Sequence, residues 1–213
     1  MNKIIAFSLW GDDPKYTIGA IRNVEIAKEL FPDWICRIYY GDDVPEDIIN
    51  RLTSLGAAMV CMGRGEWNGM FWRFYAADGD EVMISRDTDS RLGQREKAAI
   101  DEWLSSDKDF HIMRDHPYHA TEIMGGMWGS RNGVLKGIKD MIASYDKGNY
   151  DNKYQVDQNF LREVVYPLVK NNSLVHDEFF DKIPFPKSAK LRTNEYFVGQ
   201  VYDENDKPFH LIT

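Results

Sequence analysis

The chain has 213 residues, of which 43% are hydrophobic and 28% are charged, and its formal net charge is −8 at pH 7. This length and composition predict one α/β domain with a substantial core. The negative charge excludes a protein that tracks the nucleic-acid backbone, because such proteins need a positive surface to displace counterions from phosphates. No apolar segment approaches the roughly 20 residues that span a bilayer, so we expect no membrane insertion.

Strands and helices alternate through the first half of the chain. The predicted order is a strand at 3–9, a helix at 16–30, a strand at 36–40, a helix at 46–55, a strand at 57–62, a helix at 70–77 and a strand at 81–85. In the first helix, Ala20, Val24 and Ala27 recur at helical spacing. Alternation of this kind predicts a mostly parallel central sheet covered by helices.

The second half has a mixed pattern. It predicts a helix at 94–104, a strand at 110–113, a helix at 134–144, a long amphipathic helix from Phe160 to Val169, and a loop-like basic tail at 184–198 that finishes in a short strand. Pro167 should kink the amphipathic helix or end it early. Because no linker or repeat interrupts this order, we expect one domain over 1–213, with a nucleotide-binding half near 1–92 and an acceptor half near 93–213.

The chain contains only two cysteines, Cys36 and Cys61, and both lie in apolar stretches that are typical of buried strands. Reduced thiols in a cytoplasmic protein are the preferred interpretation, and a disulfide is the alternative. The N-terminus lacks the small-residue cleavage pattern of a signal peptide. We therefore expect a cytoplasmic location, in the host cell if the protein is viral.

The most informative segment is 82–90, an apolar strand that runs directly into Asp87 and Asp89. On an extended backbone two carboxylates at i and i+2 project to the same side, so both can reach one ion. Oxygen ligands of this kind suit Mg²⁺ or Mn²⁺, which can bridge to phosphate oxygens. The alternative is a solvated turn in which an aspartate bonds its own backbone.

An arginine in an apolar helix is a second unusual feature. Arg73 follows Phe71 and Trp72 in the predicted helix at 70–77. A buried guanidinium needs a partner, and either the Asp87 and Asp89 carboxylates or a phosphate would serve. The neighbouring aromatic side chains are expected to be core.

The order of motifs resembles the GT-A glycosyltransferases. Three patches carry the resemblance: the Asp87-Thr88-Asp89 motif, the glycine-rich segment 124–132, and Asp157-Gln158-Asn159 at the start of a helix. They are similar to the retaining branch of the family, and more closely to viral glycosyltransferases that decorate capsid protein. This chain has Gly125-Gly126 where the family pattern has Asn-Ala-Gly, and Asn159 where it has Asp.

The resemblance implies a GT-A-like (Rossmann-like) fold and a hexosyltransferase that uses Mn²⁺ or Mg²⁺ and a UDP-sugar donor. The donated sugar would pass to a glycan or glycoprotein acceptor, with no nucleic-acid partner and with further domains present if the polypeptide is longer. Asp87 and Asp89 would hold the metal, with Asp87 also near the ribose. A histidine after the Asp-Gln helix is often the third ligand in this family, and His176 matches that position. An ordinary half-buried histidine is the alternative.

The resemblance also places the other substrate contacts. The nucleotide would lie over the first strand-to-helix turn, near Ser8, with Trp10 and Tyr16 available to stack on the base. Asp157 and Gln158 would face the reacting sugar, although Asp157 is equally compatible with capping its helix. Lys190 belongs to a basic tail (Lys187, Lys190 and Arg192) that could close over the diphosphate or remain a solvated loop.

Two other functions stay open at this stage. An Asp-x-Asp motif also occurs in phosphatase-like or nucleotidyl-transferring α/β enzymes, although there it follows the first strand and here it follows about the fourth. A non-catalytic glycan-binding module is the other alternative, because the many Trp and Tyr residues would suffice to bind sugars. His111, His116, His119 and His210 are weaker candidates for site residues.

Overall fold

A computed structural model of the chain describes residues 2–145, 155–180 and 183–209, so His210 lies outside the described residues. A seven-stranded mixed sheet forms its centre, in the order β3-β2-β1-β4-β6-β5-β7. The strands are β1 (Lys3–Leu9), β2 (Ile35–Tyr40), β3 (Ala58–Cys61), β4 (Val82–Ser85), β5 (Phe110–Arg114), β6 (Trp128–Ser130) and β7 (Ser173–Asp177). Strands β1 to β4 are parallel, and β6 runs antiparallel to both of its neighbours. The predicted mostly parallel α/β sheet is therefore confirmed.

Helices cover both faces of this sheet. The helices are α1 (Pro14–Leu30), α2 (Glu46–Ser54), α3 (Gly69–Trp72), α4 (Gln94–Ser105), α5 (Ile138–Tyr145), α6 (Val156–Phe160) and α7 (Tyr166–Val169). One apolar core lies under α1, α2 and α4, and a second lies under α3, α5, α6 and α7. None of the helices within the described ranges combines the length and hydrophobicity that a membrane crossing requires.

The strand directions bring several loops to one edge of the sheet. Strands β1, β4, β5 and β7 all end at this edge, and β6 begins there because it is antiparallel. The residues after β4 therefore lie beside the residues that precede β6. In open α/β sheets, ligands gather at the carboxyl ends of the strands.

Several predicted elements need correction. The helix expected from residue 134 begins only at Ile138, because Gly133 and Gly137 adopt positive φ angles of 66° and 87° in the preceding turns. The helix expected at 70–77 changes to a 3₁₀ helix from Arg73 to Asp78. Neither β6 nor β7 is predicted from the sequence.

Pro167 does not end the amphipathic helix, but the helical geometry changes in the turn before it. Residues Leu161–Val165 form a π-helical turn directly before α7, and the Tyr166 amide donates to the Leu161 carbonyl five residues earlier. This wider turn accommodates the proline, which has no N–H to donate. The helical path then continues to a 3₁₀ turn at Lys170–Asn172.

The tail and one cysteine also differ from expectation. Within the described part of the tail, no regular strand forms after β7, and pairing is limited to isolated bridges such as Ser90 with Val201. Cys36 is buried as predicted, whereas Cys61 is exposed because β3 is the edge strand. Both thiols are free, in agreement with the preferred interpretation.

Candidate active site

The turn that carries Asp87 and Asp89 follows the central strand β4, and hydrogen bonds from helix α1 hold it in place. The Asn23 side-chain amide donates to the carbonyls of Thr88 (3.2 Å) and Ser90 (2.8 Å). The Ser90 hydroxyl donates to the Asp87 carbonyl at 3.0 Å. These bonds give the turn a defined shape before any ligand binds.

A buried ion pair holds the same turn from the other side. Arg86 is 1% exposed and its Nε lies 3.0 Å from Oε2 of Glu96, at the start of α4. Arg86 Nη1 also donates to the Gly126 carbonyl at 2.7 Å. The guanidinium therefore ties the acidic turn to the segment that enters β6.

Arg73 lies between two carboxylates of the site. Its Nη1 is 3.1 Å from Oδ1 of Asp87, and its Nη2 donates to Oδ2 of Asp157 at 3.0 Å. Arg73 is 7% exposed and Asp157 is 4% exposed. Burial raises the pKa of Asp157, and the charge of Arg73 opposes this rise. One of the two partners expected for Arg73, the Asp87 carboxylate, is thus present.

Asp89 is paired with a lysine, Lys15, that the sequence analysis did not identify as a site residue. Lys15 Nζ lies 2.9 Å from Asp89 Oδ2. Burial and the neighbouring Asp87 raise the pKa of Asp89, while Lys15 lowers it. Burial acts to lower the pKa of Lys15, but its ion pair with Asp89 outweighs this and the net pKa is raised. Lys15 stands in the first turn of α1, whose Asp13 cap follows directly from the loop after β1.

The two glycines before β6 allow these charged groups to lie against the backbone. A Cβ on Gly126 would overlap the Asp87 carboxylate and lie 2.9 Å from the Asp87 backbone nitrogen. A Cβ on Gly125 would lie 2.7 Å from Arg73 Nη2 and 2.9 Å from Asp157 Oδ2. The Gly-Gly pair is therefore a packing requirement of this site.

The Asp87 and Asp89 carboxylates are candidate ligands for a divalent cation. Their closest ion pairs use Oδ1 of Asp87 and Oδ2 of Asp89, which leaves the other oxygen of each as a candidate ligand. Within the described ranges, no group of three or more His, Cys, Asp or Glu side chains could hold a metal. Two carboxylates, completed by substrate phosphates and water, is a usual arrangement for Mg²⁺.

Asp157 is not the N-cap residue of its helix. Gln155 is the N-cap of α6, and Asp157 is the second helical residue, with Oδ1 accepting a hydrogen bond from the Gln158 amide at 2.9 Å. The expected N-cap position is therefore wrong, and the carboxylate instead accepts from an amide within the first turn. Gln158 is close by, and its buried Oε1 has no hydrogen-bond partner among the described residues. Because Arg73 contacts both carboxylates, Asp157 lies in the same site as Asp87.

The three residues predicted to contact the nucleotide differ in how exposed they are. Tyr16 is 38% exposed and next to Lys15, so its ring is accessible. Trp10 is half-buried, packs edge-on against Trp72 with ring centroids 6.2 Å apart, and lies against glycine backbone at 65 and 69. Ser8 is buried, and its hydroxyl accepts from the Arg73 amide at 2.9 Å. Ser8 thus positions Arg73.

Among the described residues, no contact joins His176 to the Asp87 turn. Its Nδ1 is 2.8 Å from Nε2 of His111, its Nε2 is 3.8 Å from Glu102 of α4, and its ring packs on Phe185. The side chain faces the α4 side of the sheet because β7 alternates its side chains between the two faces. This environment is that of a buried structural histidine.

His116 and His119 lie in the loop after β5. His119 is buried, and burial lowers its pKa to about 3. Its Nδ1 accepts from the Asp115 amide at 3.1 Å, so this histidine is neutral. His116 stacks on Phe197 with ring centroids 4.6 Å apart. Both rings contact Phe197 and so hold the tail against the loop that follows β5.

The tail around Lys190 is docked by named contacts. The Lys190 carbonyl accepts from Arg95 at 3.1 Å, and Lys190 Nζ lies 4.0 Å from the centroid of the Tyr196 ring. Arg192 donates to the Asp115 carbonyl at 2.8 Å. Lys190 therefore lies at the start of α4, and no described contact joins it to Asp87 or Asp89.

Comparison with solved structures identifies the fold. Glucosyl-3-phosphoglycerate synthase from Mycobacterium tuberculosis, in complex with UDP, is 12% identical, with a TM-score of 0.51 over 82% of this chain and 69% of that chain. The same enzyme with Mn²⁺, UDP-glucose and phosphoglyceric acid gives 12% identity and a TM-score of 0.50 over 82% and 68%. The chain thus has the GT-A glycosyltransferase fold, which confirms the expected fold class.

A glycosyltransferase involved in glycosylation of the major capsid of PBCV-1 is 17% identical, with a TM-score of 0.49 over 85% of this chain and 84% of that chain. No protein-family model matches the sequence. No curated protein matches it in sequence either.

Proposed function

We propose that this protein is a metal-dependent glycosyltransferase that moves a sugar from a nucleoside diphosphate, UDP in the first instance, to a glycan or glycoprotein acceptor. The observation that supports it most is the convergence of Asp87, Asp89 and Asp157 with Arg73 at the carboxyl edge of β4. Opposite charges gathered in a partly buried site are a recurrent mark of function. The fold is shared with an enzyme whose structure has been solved with UDP-glucose and Mn²⁺ bound.

Each residue has a distinct task in this proposal. Asp87 and Asp89 hold the cation, which when bound neutralises the negative charge that develops on the diphosphate leaving group. Arg73 orients the Asp87 and Asp157 carboxylates and adds a fixed positive charge beside the leaving group. Asp157, in the first turn of α6, faces the sugar and stabilises positive charge at its anomeric carbon. The nucleotide-binding half is residues 1–92, and the acceptor half is 93–213.

Retention of the anomeric configuration is part of the proposal. An inverting reaction needs a carboxylate that is free to take the proton of the acceptor hydroxyl. Asp157 is instead paired with Arg73 at 3.0 Å. A group held in this way is better suited to electrostatic stabilisation than to proton transfer.

The test is thermal stabilisation by UDP with and without Mn²⁺. We expect UDP to raise the melting temperature only when Mn²⁺ is present, because ligand bound to the folded state alone stabilises it. Asp89→Ala should remove this effect and leave the fold intact. Asp107→Ala is the matched control, because the Asp107 side chain is 88% exposed.

Other outcomes point to the other functions. Stabilisation by glycans without any nucleotide effect would indicate a glycan-binding module, and a covalent phosphate trapped on Asp87 would indicate a phosphatase-like enzyme. If UDP and Mn²⁺ do act together, a panel of sugar nucleotides assayed for metal-dependent hydrolysis identifies the donor. Phosphoglycerate and capsid glycoprotein are then the first acceptors to compare.

A further inference from the structure

The site contains fewer positive than negative side chains. Asp87, Asp89 and Asp157 face two cations, Arg73 and Lys15. Arg73 is buried and held by two carboxylates, whereas the Lys15 side chain is 30% exposed and has one carboxylate partner. Lys15 is therefore the cation that can move.

We propose that Lys15 pairs with Asp89 in the ligand-free protein, where its charge opposes metal binding to the same carboxylate, and that it transfers to the diphosphate when metal and nucleotide bind together. This inference rests on the proposed function, and it assigns to Lys15 a binding task that no sequence motif indicates. It makes Lys15 a positioning residue for the donor.

The short distance between Lys15 and Asp89 explains why a bound metal would displace the lysine. Lys15 Nζ lies 2.9 Å from Asp89 Oδ2. A divalent cation bound to the same carboxylate would stand within a few ångströms of that ammonium, and like charges at such a distance repel strongly in a partly buried site. Metal binding without nucleotide must therefore separate Lys15 from Asp89 at a cost.

A diphosphate removes this cost because it supplies a new partner. The nearby Asp13 side chain is already used to cap α1, where it accepts from the Lys15 amide at 2.9 Å. The Lys15 ammonium lies 4.9 Å from the centroid of the exposed Tyr16 ring, which adds a favourable cation–π contact without burying the ammonium. A diphosphate bridging to the metal would bring oxygens within reach of this flexible side chain.

The consequence is coupling between the two ligands. Mn²⁺ alone binds weakly because Lys15 competes with it, and Mn²⁺ with UDP binds tightly because Lys15 becomes a ligand of the nucleotide. Removal of the lysine charge should therefore change the two affinities in opposite directions. A lysine with only a structural role would not produce this opposite change.

The experiment measures Mn²⁺ binding by electron paramagnetic resonance and UDP binding by calorimetry, on the whole chain. In Lys15→Met, we expect Mn²⁺ alone to bind about five- to tenfold more tightly and UDP at saturating Mn²⁺ to bind more weakly by a similar factor. Lys15→Arg keeps the charge and should retain most of the coupling. Lys28→Met, an exposed lysine on the same helix, should match the wild type.

The outcomes separate this inference from the proposed function. If the wild type shows no Mn²⁺-promoted UDP binding, the proposed function fails and this inference fails with it. If the wild type binds both but Lys15→Met has unchanged or weaker affinity for Mn²⁺ alone, only the role of Lys15 is overturned. Lys15→Gln, a second neutral variant, replaces Lys15→Met if the methionine variant does not fold.

Discussion

Replacing Arg73 by methionine should destabilise the protein strongly. The substitution leaves Asp157, which is 4% exposed, without the guanidinium that lies 3.0 Å away. Loss of one partner of a buried ion pair costs about 3–5 kcal/mol, because the remaining charge is buried without compensation. For a domain of this size, that loss corresponds to roughly 6–20 °C in melting temperature.

The assay is urea unfolding of Arg73→Met, Asp157→Asn and the double variant, at pH 8 and pH 5. Burial already raises the pKa of Asp157, and removal of Arg73 raises it further. A group with a raised pKa in the folded state costs stability as pH rises through that pKa, so the deficit of Arg73→Met should be smaller at pH 5. The double variant removes the unpaired charge and should recover much of the loss. A double variant as unstable as Arg73→Met, with no effect of pH, would refute the reasoning.

Three further outcomes follow from the site. Gly126→Ala should abolish Mn²⁺-dependent UDP binding and cost about 1–3 kcal/mol of stability, because its methyl group would overlap the Asp87 carboxylate and lie 2.9 Å from the Asp87 backbone nitrogen. Gly79→Ala is the matched control in the same thermal-shift assay, because Gly79 is exposed and an added Cβ would meet only the Glu81 backbone nitrogen, at an ordinary contact distance of 3.9 Å. Asp157→Asn should lower kcat of sugar transfer more than it weakens donor binding, and equal losses in both would contradict its placement at the sugar. Burial lowers the pKa of His119 to about 3, so the unfolded chain takes up this proton first and stability should fall as pH drops below about 6.5; in urea midpoints from pH 7.5 to 5.5, His119→Gln should show a shallower fall, and an unchanged slope would exclude this histidine as the source.

The regular part of the fold is predictable because its signals are local. Strands β1, β2 and β4 are short segments dominated by apolar residues, and helix α1 repeats its apolar residues at helical spacing. Strand β6 is not predictable in this way, because it has three residues and a glycine in the middle. Strand β7 contains Ser173, His176 and Asp177, and it is a strand because β5 pairs with it. Pairing across long sequence separation leaves no local pattern.

The residues of the candidate site also fall into those that local sequence features reveal and those that depend on long-range contacts. Asp87 and Asp89 are found from sequence because their spacing and the preceding strand are local features, and Arg73 is found because a charge in an apolar helix is unusual. Lys15 is missed because its partner is 74 residues away in sequence, although its place in the first turn after β1 is a signal that the strand order could have supplied. The structure gives no support to the prediction that His176 is the third metal ligand. The sequence alone does not show on which face of β7 the histidine side chain lies.

The reversed strand β6 has a consequence for how the protein can move. It joins the β1 to β4 half of the sheet to the β5 and β7 half through backbone hydrogen bonds on both of its sides. Opening the two halves like a clamshell would break these bonds in the middle of the core. In the proposed glycosyltransferase, substrate entry and product release would therefore be controlled by the segments that overlie the sheet edge, and ligands should shift those segments while leaving the strands in register.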